Sequence, residues 1–109
     1  MRRLMFLVLA VGLVLGVGVA SAQDAGITIG LLLSTLNNPF FVTLRDGAQA
    51  AADELGVELI VVDAQDDPST EAANIQDLIA QGVSAILVNP TDADAIVPSI
   101  EAANAAGIP

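Results

Sequence analysis

Two amides and two adjacent rings, Asn37, Asn38, Phe40 and Phe41, are gathered in the single stretch Ser34-Thr35-Leu36-Asn37-Asn38-Pro39-Phe40-Phe41. Aromatic faces stack on the C–H side of a sugar, and amides both donate to and accept from hydroxyls, so this combination suits a neutral polyol. Phe40 and Phe41 are two of the three aromatic residues in the chain, the third being Phe6. The same residues also suit a purely architectural purpose, with the rings stapling a helix to a sheet and the amides forming a turn and a cap. Residue chemistry leaves both readings open.

Other chemistry is sparse. The chain has no histidine, cysteine, tyrosine or tryptophan, which removes a Ser–His couple, a thiolate nucleophile and His/Cys metal ligands. No glycine-rich phosphate loop occupies the Ser34–Asn38 stretch. Carboxylates remain: Asp63, Asp66, Asp67, Asp92 and Asp94 fall where strands are expected to end and could bind a hard cation such as Mg²⁺, as in a receiver-like phosphoacceptor domain. The export signal described below argues against that signalling role. We therefore expect a binding protein, with no catalytic residue, no metal and no cofactor.

The elements that must position these residues follow from local patterning. Residues 27–33 form a continuous apolar run of strand length, as expected of a parallel strand covered on both faces. Asn38 can cap the next helix and Pro39 fits its first turn, where a missing N–H costs nothing. Phe41, Leu44, Ala48, Ala51 or Ala52, and Leu55 then recur at helical spacing, and Gly56 provides a left-handed stop. A second strand spans 57–62, Asp67-Pro68 opens a second helix, and Ala72, Ile75, Leu78 and Ile79 form its buried stripe, with Glu71, Asn74, Gln76 and Asp77 outside it. Gly82 ends that helix, 85–88 is a short third strand, and Asn89-Pro90-Thr91-Asp92 is its exit turn. A third helix is expected from near Asp92 or Asp94, burying Ile96, Val97, Ile100 and Ala103, with Pro98 limiting how early it starts. The acidic block Asp63-Ala64-Gln65-Asp66-Asp67 reads as solvated loop.

Helices end three times in glycine followed by a branched apolar residue, at Gly56-Val57, Gly82-Val83 and Gly107-Ile108, at intervals of 26 and 25 residues. Strand, exit loop, helix and glycine stop in alternation define the β-α unit of a doubly wound, parallel α/β sheet. Ligands of such sheets sit at the carboxyl ends of the strands, where helix N-termini offer unpaired N–H groups. The chain reaches Pro109 where a fourth strand is expected to begin, which suggests a fragment of a longer protein.

The totals add a location. Arg2 and Arg3 precede an apolar stretch over 4–19, and Ala20-Ser21-Ala22 is a small-x-small cleavage site, so residues 1–22 read as a secretory signal peptide. Removing Arg2 and Arg3 with it takes the formal charge from −10 to about −12, with Arg45 the single remaining cation. That balance repels nucleic acid and anionic membranes. With no cysteine there is no lipid anchor at the cleavage site, and the expected location is the periplasm.

The motif Ser34-Thr35-Leu36-Asn37-Asn38-Pro39-Phe40-Phe41, with Asp46-Gly47-Ala48-Gln49, Ala73-Asn74-Ile75-Gln76-Asp77-Leu78 and Asn89-Pro90-Thr91-Asp92 in that order, resembles the type I periplasmic sugar-binding family. The likeness covers essentially all of residues 23–109 and is nearer to the ribose binders than to the galactose or arabinose binders. It implies that 23–109 are the first three β-α units of the N-terminal lobe of a two-lobed clamp, which delivers one monosaccharide to a membrane permease driven by an ATPase. It further implies a monomer, a chemoreceptor as an additional partner, and no nucleic acid. By this resemblance Asn38 hydrogen-bonds sugar hydroxyls, Phe40 and Phe41 pack against the sugar ring, and Asn89 makes a further hydroxyl contact. The chain departs from the pattern in lacking the fourth strand, whose exit carries an Asp-Arg pair in ribose binders, and in lacking a hinge and a second lobe. Three alternatives share the fold: a binder of another pentose, an allose-like hexose or a furanose signal molecule; the effector lobe of a sugar-responsive repressor; and an exported enzyme with catalytic residues further downstream.

Overall fold

The computed structural model describes residues 26–109, and the expected signal peptide at 1–22 lies outside them. Within the described residues β1 (Thr28–Leu33), α1 (Pro39–Leu55), β2 (Glu58–Asp63), α2 (Pro68–Ala80), β3 (Ala85–Val88) and α3 (Val97–Ala105) alternate as expected of a doubly wound α/β chain. The strands form a parallel sheet in the order β2-β1-β3. In register, Leu32 lies beside Val62 on one side and Val88 on the other. These three side chains share one face.

That face carries most of the core, with Leu31 and Leu33 buried on the opposite one. Leu32, Ala64, Ile75 and Ile96 cluster with Val62, Ile79, Ile86 and Val88, and beside them Leu78, Val83, Ala103 and Ile108 pack on Ile60 and Ile86. Both α2 and α3 therefore cover this side. Fully burying a leucine such as Leu32 or Leu78 contributes about 1.5–3 kcal/mol. Gly30 permits the close approach of α2, since a Cβ there would meet Leu78 Cδ1 at 2.8 Å.

The three glycine stops share one mechanism. Gly56, Gly82 and Gly107 all have positive φ, at 69°, 70° and 75°. The following residue donates back into the helix, Val57 N–H to the Ala52 carbonyl, Val83 to Leu78 and Ile108 to Ala103, which satisfies carbonyls that would otherwise be orphaned. Val83 and Ile108 are buried in the process. Because Val57 belongs to this cap, β2 runs from Glu58 to Asp63, one residue later than its apolar run suggests. Likewise β1 begins at Thr28, leaving Ile27 exposed.

Five other expectations need correction. Glu71, placed outside the α2 stripe by its charge, is only 1% exposed. It stands four residues before Ile75 and seven before Leu78, on the same helical face, and its carboxylate is held by a backbone N–H. The acidic block after β2 is not simply solvated loop, because Ala64 is fully buried in the core and Gln65 and Asp66 both adopt positive φ.

α3 starts at Val97, not near Asp92 or Asp94: Asp92 Oδ1 caps the N–H groups of Asp94 and Ala95 over a run of turns, and Pro98, which has no N–H to donate to the Asp94 carbonyl, sits in the first turn of the regular helix. Its buried positions are Ser99 and Ala103, following Ile96, whereas Val97 and Ile100 are exposed. On α1, Ala52 alone is buried. Leu44 and Leu55 remain exposed, Leu55 at 75%, because α1 rests mainly against β2 and leaves much of its stripe over open sheet. At the other edge, the Ile86 N–H donates to the Pro109 carbonyl at 2.9 Å, so the chain returns alongside β3.

Candidate functional site

All three strand exits lie at the carboxyl edge of the sheet, and the candidate residues stand on two of them. At the β1 exit the chain turns through Ser34, Thr35, Leu36 and Asn37 before α1 begins. Thr35 Oγ1 accepts from the Asn37 N–H at 3.1 Å, which shapes this turn. Asn38 has extended backbone geometry as the N-cap, and its Oδ1 accepts from the Phe40 N–H at 3.0 Å. An N–H can only donate, so the cap commits the amide oxygen inward and leaves Nδ2 as the group presented to solvent. Phe40 and Phe41 meet edge to face, with centroids 5.2 Å apart and planes at 82°, an arrangement worth about 0.5–1.5 kcal/mol beyond burial. Phe41 is half-buried, and Phe40 is 65% exposed. Phe41 is thus partly enclosed, and Phe40 is left available.

Asn89 stands at the β3 exit. Its backbone N–H donates to the Leu32 carbonyl at 2.9 Å, continuing the ladder, and its Oδ1 accepts from the Ser34 hydroxyl at 2.8 Å and the Ser34 N–H at 3.4 Å. The β1 and β3 exits are thus joined directly. No hydrogen bond among the described residues joins Asn89 to Asn38, Phe40 or Phe41, which share the rim with it but do not touch it through polar atoms.

Ser34, Glu71 and Asn74 complete a ring of hydrogen bonds around this rim. The Ser34 carbonyl accepts from the Asp66 N–H at 2.7 Å, tying β1 to the β2 exit. Asn74 Nδ2 donates to the Asp63 carbonyl at 3.1 Å, tying the β2 exit to α2. Glu71 Oε2 accepts from the Thr91 N–H at 2.7 Å, tying α2 to the β3 exit. The motif by itself gives Ser34 no role, and charge alone places Glu71 outside the core. A detectable signal existed for Glu71, a charged residue in phase with Ile75 and Leu78; the Ser34–Asn89 pair spans 55 residues and has no local signature.

The strand-exit carboxylates serve local backbone. Asp67 caps α2 by accepting from Ser69 and Thr70, and the Thr70 and Ser69 hydroxyls with these N–H groups lower its pKa from 3.8 to about 2. The Ala95 and Asp94 N–H groups lower that of Asp92. Asp63 Oδ1 accepts from the Gln65 N–H. Among the described residues, no group of three or more acidic side chains could hold a metal ion. Two apolar grooves flank β3, one between β3 and α3 and one beneath α1, and neither is lined by Asn38, Phe40, Phe41 or Asn89. The rim is therefore an open platform: two amide donors, one exposed ring and one supporting ring.

Comparison with known proteins places this chain in a family. Residues 29–109 match the periplasmic binding protein domain. The ribose import binding protein RbsB of Escherichia coli is 51% identical over 110 residues, an alignment covering 100% of this chain and 36% of that protein. This chain thus spans about a third of that relative's length. A solute-binding protein of Mycobacterium smegmatis solved with bound glycerol superposes with a TM-score of 0.74 at 40% identity, covering 76% of this chain and 29% of that one. One from Actinobacillus succinogenes, solved with bound D-allose, gives 0.73 at 36% identity, covering 76% of this chain and 30% of that one. These relatives are transport binding proteins, not enzymes. With three-quarters of its length matched by the family's own pattern and a parallel α/β sheet shared with its solved members, the chain belongs to the periplasmic binding protein family.

Proposed function

We propose that this chain forms one wall of the monosaccharide site in the substrate-binding component of a sugar importer, with D-ribose as the leading ligand. The observation that carries the reading is the gathering of Asn38, the Phe40–Phe41 pair and Asn89 on adjacent strand exits of one sheet edge. The ribose import binding protein of Escherichia coli, 51% identical across the whole chain, supports the choice of ligand. In this assignment Phe40 and Phe41 stack on the sugar face, and Asn38 and Asn89 donate to ring-plane hydroxyl oxygens.

The same reading takes residues 1–22 as the signal peptide and 23–109 as part of the N-terminal lobe of a periplasmic protein, a monomer. Its partners are a membrane permease with its ATPase, and a chemoreceptor. The platform offers contacts to one side of a sugar only. A second lobe closing over the other side would make contacts that exist only when closed, so ligand would shift the population toward the closed form. A permease could then distinguish loaded from empty protein by shape.

Thermal melting of the chain expressed in its complete reading frame, against a panel of neutral sugars, tests this directly. A rise in Tm with D-ribose that disappears in Phe40→Ala and in Asn89→Ala is expected. No rise with any sugar overturns the reading. A rise confined to D-allose transfers it to a hexose, the second ligand supported by a solved relative.

A further inference from the structure

We infer that Ser34 is a positioning residue that locks the Asn89 side chain as a hydrogen-bond donor, fixing which kind of ligand atom this part of the rim accepts. The inference deepens the sugar-site reading above and rests on it. Ser34 is 9% exposed and has two groups facing the same oxygen, its hydroxyl at 2.8 Å and its N–H at 3.4 Å from Asn89 Oδ1.

A hydroxyl alone could not orient an amide, because it donates or accepts as required. The backbone N–H has no such freedom. Rotating the Asn89 amide by half a turn would set its NH₂ group against that N–H and lose the shorter bond in its present sense. Oδ1 therefore stays inward, and Nδ2, which makes no hydrogen bond among the described residues, is the polar group left for a ligand.

The rest of the rim makes this lock stiff. Ser34 is held through its carbonyl by the Asp66 N–H, the Asn89 backbone by the Leu32 carbonyl, and the turn beyond it by buried Glu71 through the Thr91 N–H. Neither end of the Ser34–Asn89 pair can drift without breaking another bond. Asn38 reaches the same state through its own cap, with Oδ1 committed to the Phe40 N–H. The two amides of the rim thus present donors, and the ligand atoms complementary to them are acceptor oxygens.

Calorimetric titration of D-ribose into the protein from its complete reading frame, as a double-mutant cycle, tests the inference. Ser34→Ala leaves only the long N–H contact to orient the amide and is expected to weaken binding about tenfold. In an Asn89→Ala background the same substitution is expected to change affinity by less than about twofold, because Ser34 acts through Asn89. Asn89→Asp keeps the acceptor for Ser34 but has no N–H to donate, and is expected to weaken binding at least as much as Asn89→Ala. This second variant decides the matter if Ser34→Ala does not fold. Equal losses from Ser34→Ala in both backgrounds, or unchanged affinity in Asn89→Asp, overturn the inference while leaving the sugar-site reading intact. Absence of D-ribose binding by the unsubstituted protein overturns that reading, and this inference with it.

Discussion

The two faces of the sheet are built from the same β-α unit and packed to different depths. On one, α2 and α3 close over Leu32, Ala64, Ile75, Leu78 and Ile96. On the other, Leu31 and Leu33 of β1 are buried, yet α1, the longest helix and one with a regular apolar stripe, buries only Ala52 of its own residues and leaves Leu55 75% exposed. Apolar spacing thus specifies which side of a helix prefers burial, whereas the neighbouring elements specify how much burial it receives. The difference extends to the site. Asn89 is anchored through Ser34 and Glu71 to the densely packed face, while Asn38 and Phe40 are held by one cap and the first turn of α1.

The strongest way to break this comparison is to truncate one leucine on each face. Leu78→Ala is expected to cost about 2–5 kcal/mol in denaturant unfolding, since it empties a fully enclosed position, whereas Leu55→Ala falls within about 0.5 kcal/mol. Equal costs would mean that the two faces contribute alike. Next in size, Glu71→Ala leaves the Thr91 N–H without its acceptor and is expected to cost about 1–3 kcal/mol. Glu71→Gln retains an acceptor oxygen, so a smaller loss there isolates the hydrogen bond from packing.

The α1 side is sharpened by separating the cap from the donor. Asn38→Ala should lower stability by about 1 kcal/mol through loss of the cap. Asn38→Asp keeps an acceptor for the Phe40 N–H but has no Nδ2, so its Tm without sugar should match the unsubstituted protein while D-ribose affinity falls. Retained affinity would confine Asn38 to architecture. The smallest effect is electrostatic. Asp67 has its pKa lowered from 3.8 to about 2, so its stabilising contribution is complete above pH 3.8 and is lost as pH falls toward 2. Asp67→Asn should therefore reduce the drop in Tm between pH 6 and pH 2.5, and an unchanged drop would assign that acid sensitivity to other carboxylates.

Much of the fold is legible in the amino-acid sequence. The β3 limits, the openings of α1 and α2 at Pro39 and Pro68, the capping by Asn38 and Asp67, and three left-handed glycine stops are encoded within a turn or two of chain. Caps and stops are local hydrogen bonds, and strand and helix periods are local burial patterns, so neighbouring residues suffice to specify them. The start of α3 was not legible because Asp92 caps a run of turns ahead of it, so the local cap signal lies several residues before the regular helix that opens around Pro98. The candidate site was legible as residue types at strand exits.

By itself, then, the sequence determined the alternation of elements, their caps and stops, and the concentration of amides and rings at the sheet's carboxyl edge. Tertiary structure alone decided the order β2-β1-β3, the burial of Glu71, the exposure of Leu55 and the bond between Ser34 and Asn89. Each of these depends on which surface arrives opposite a residue, often from dozens of positions away. Hydrophobic burial is non-directional and hydrogen bonds require a partner in place, so neither outcome is written in the residues adjacent to it.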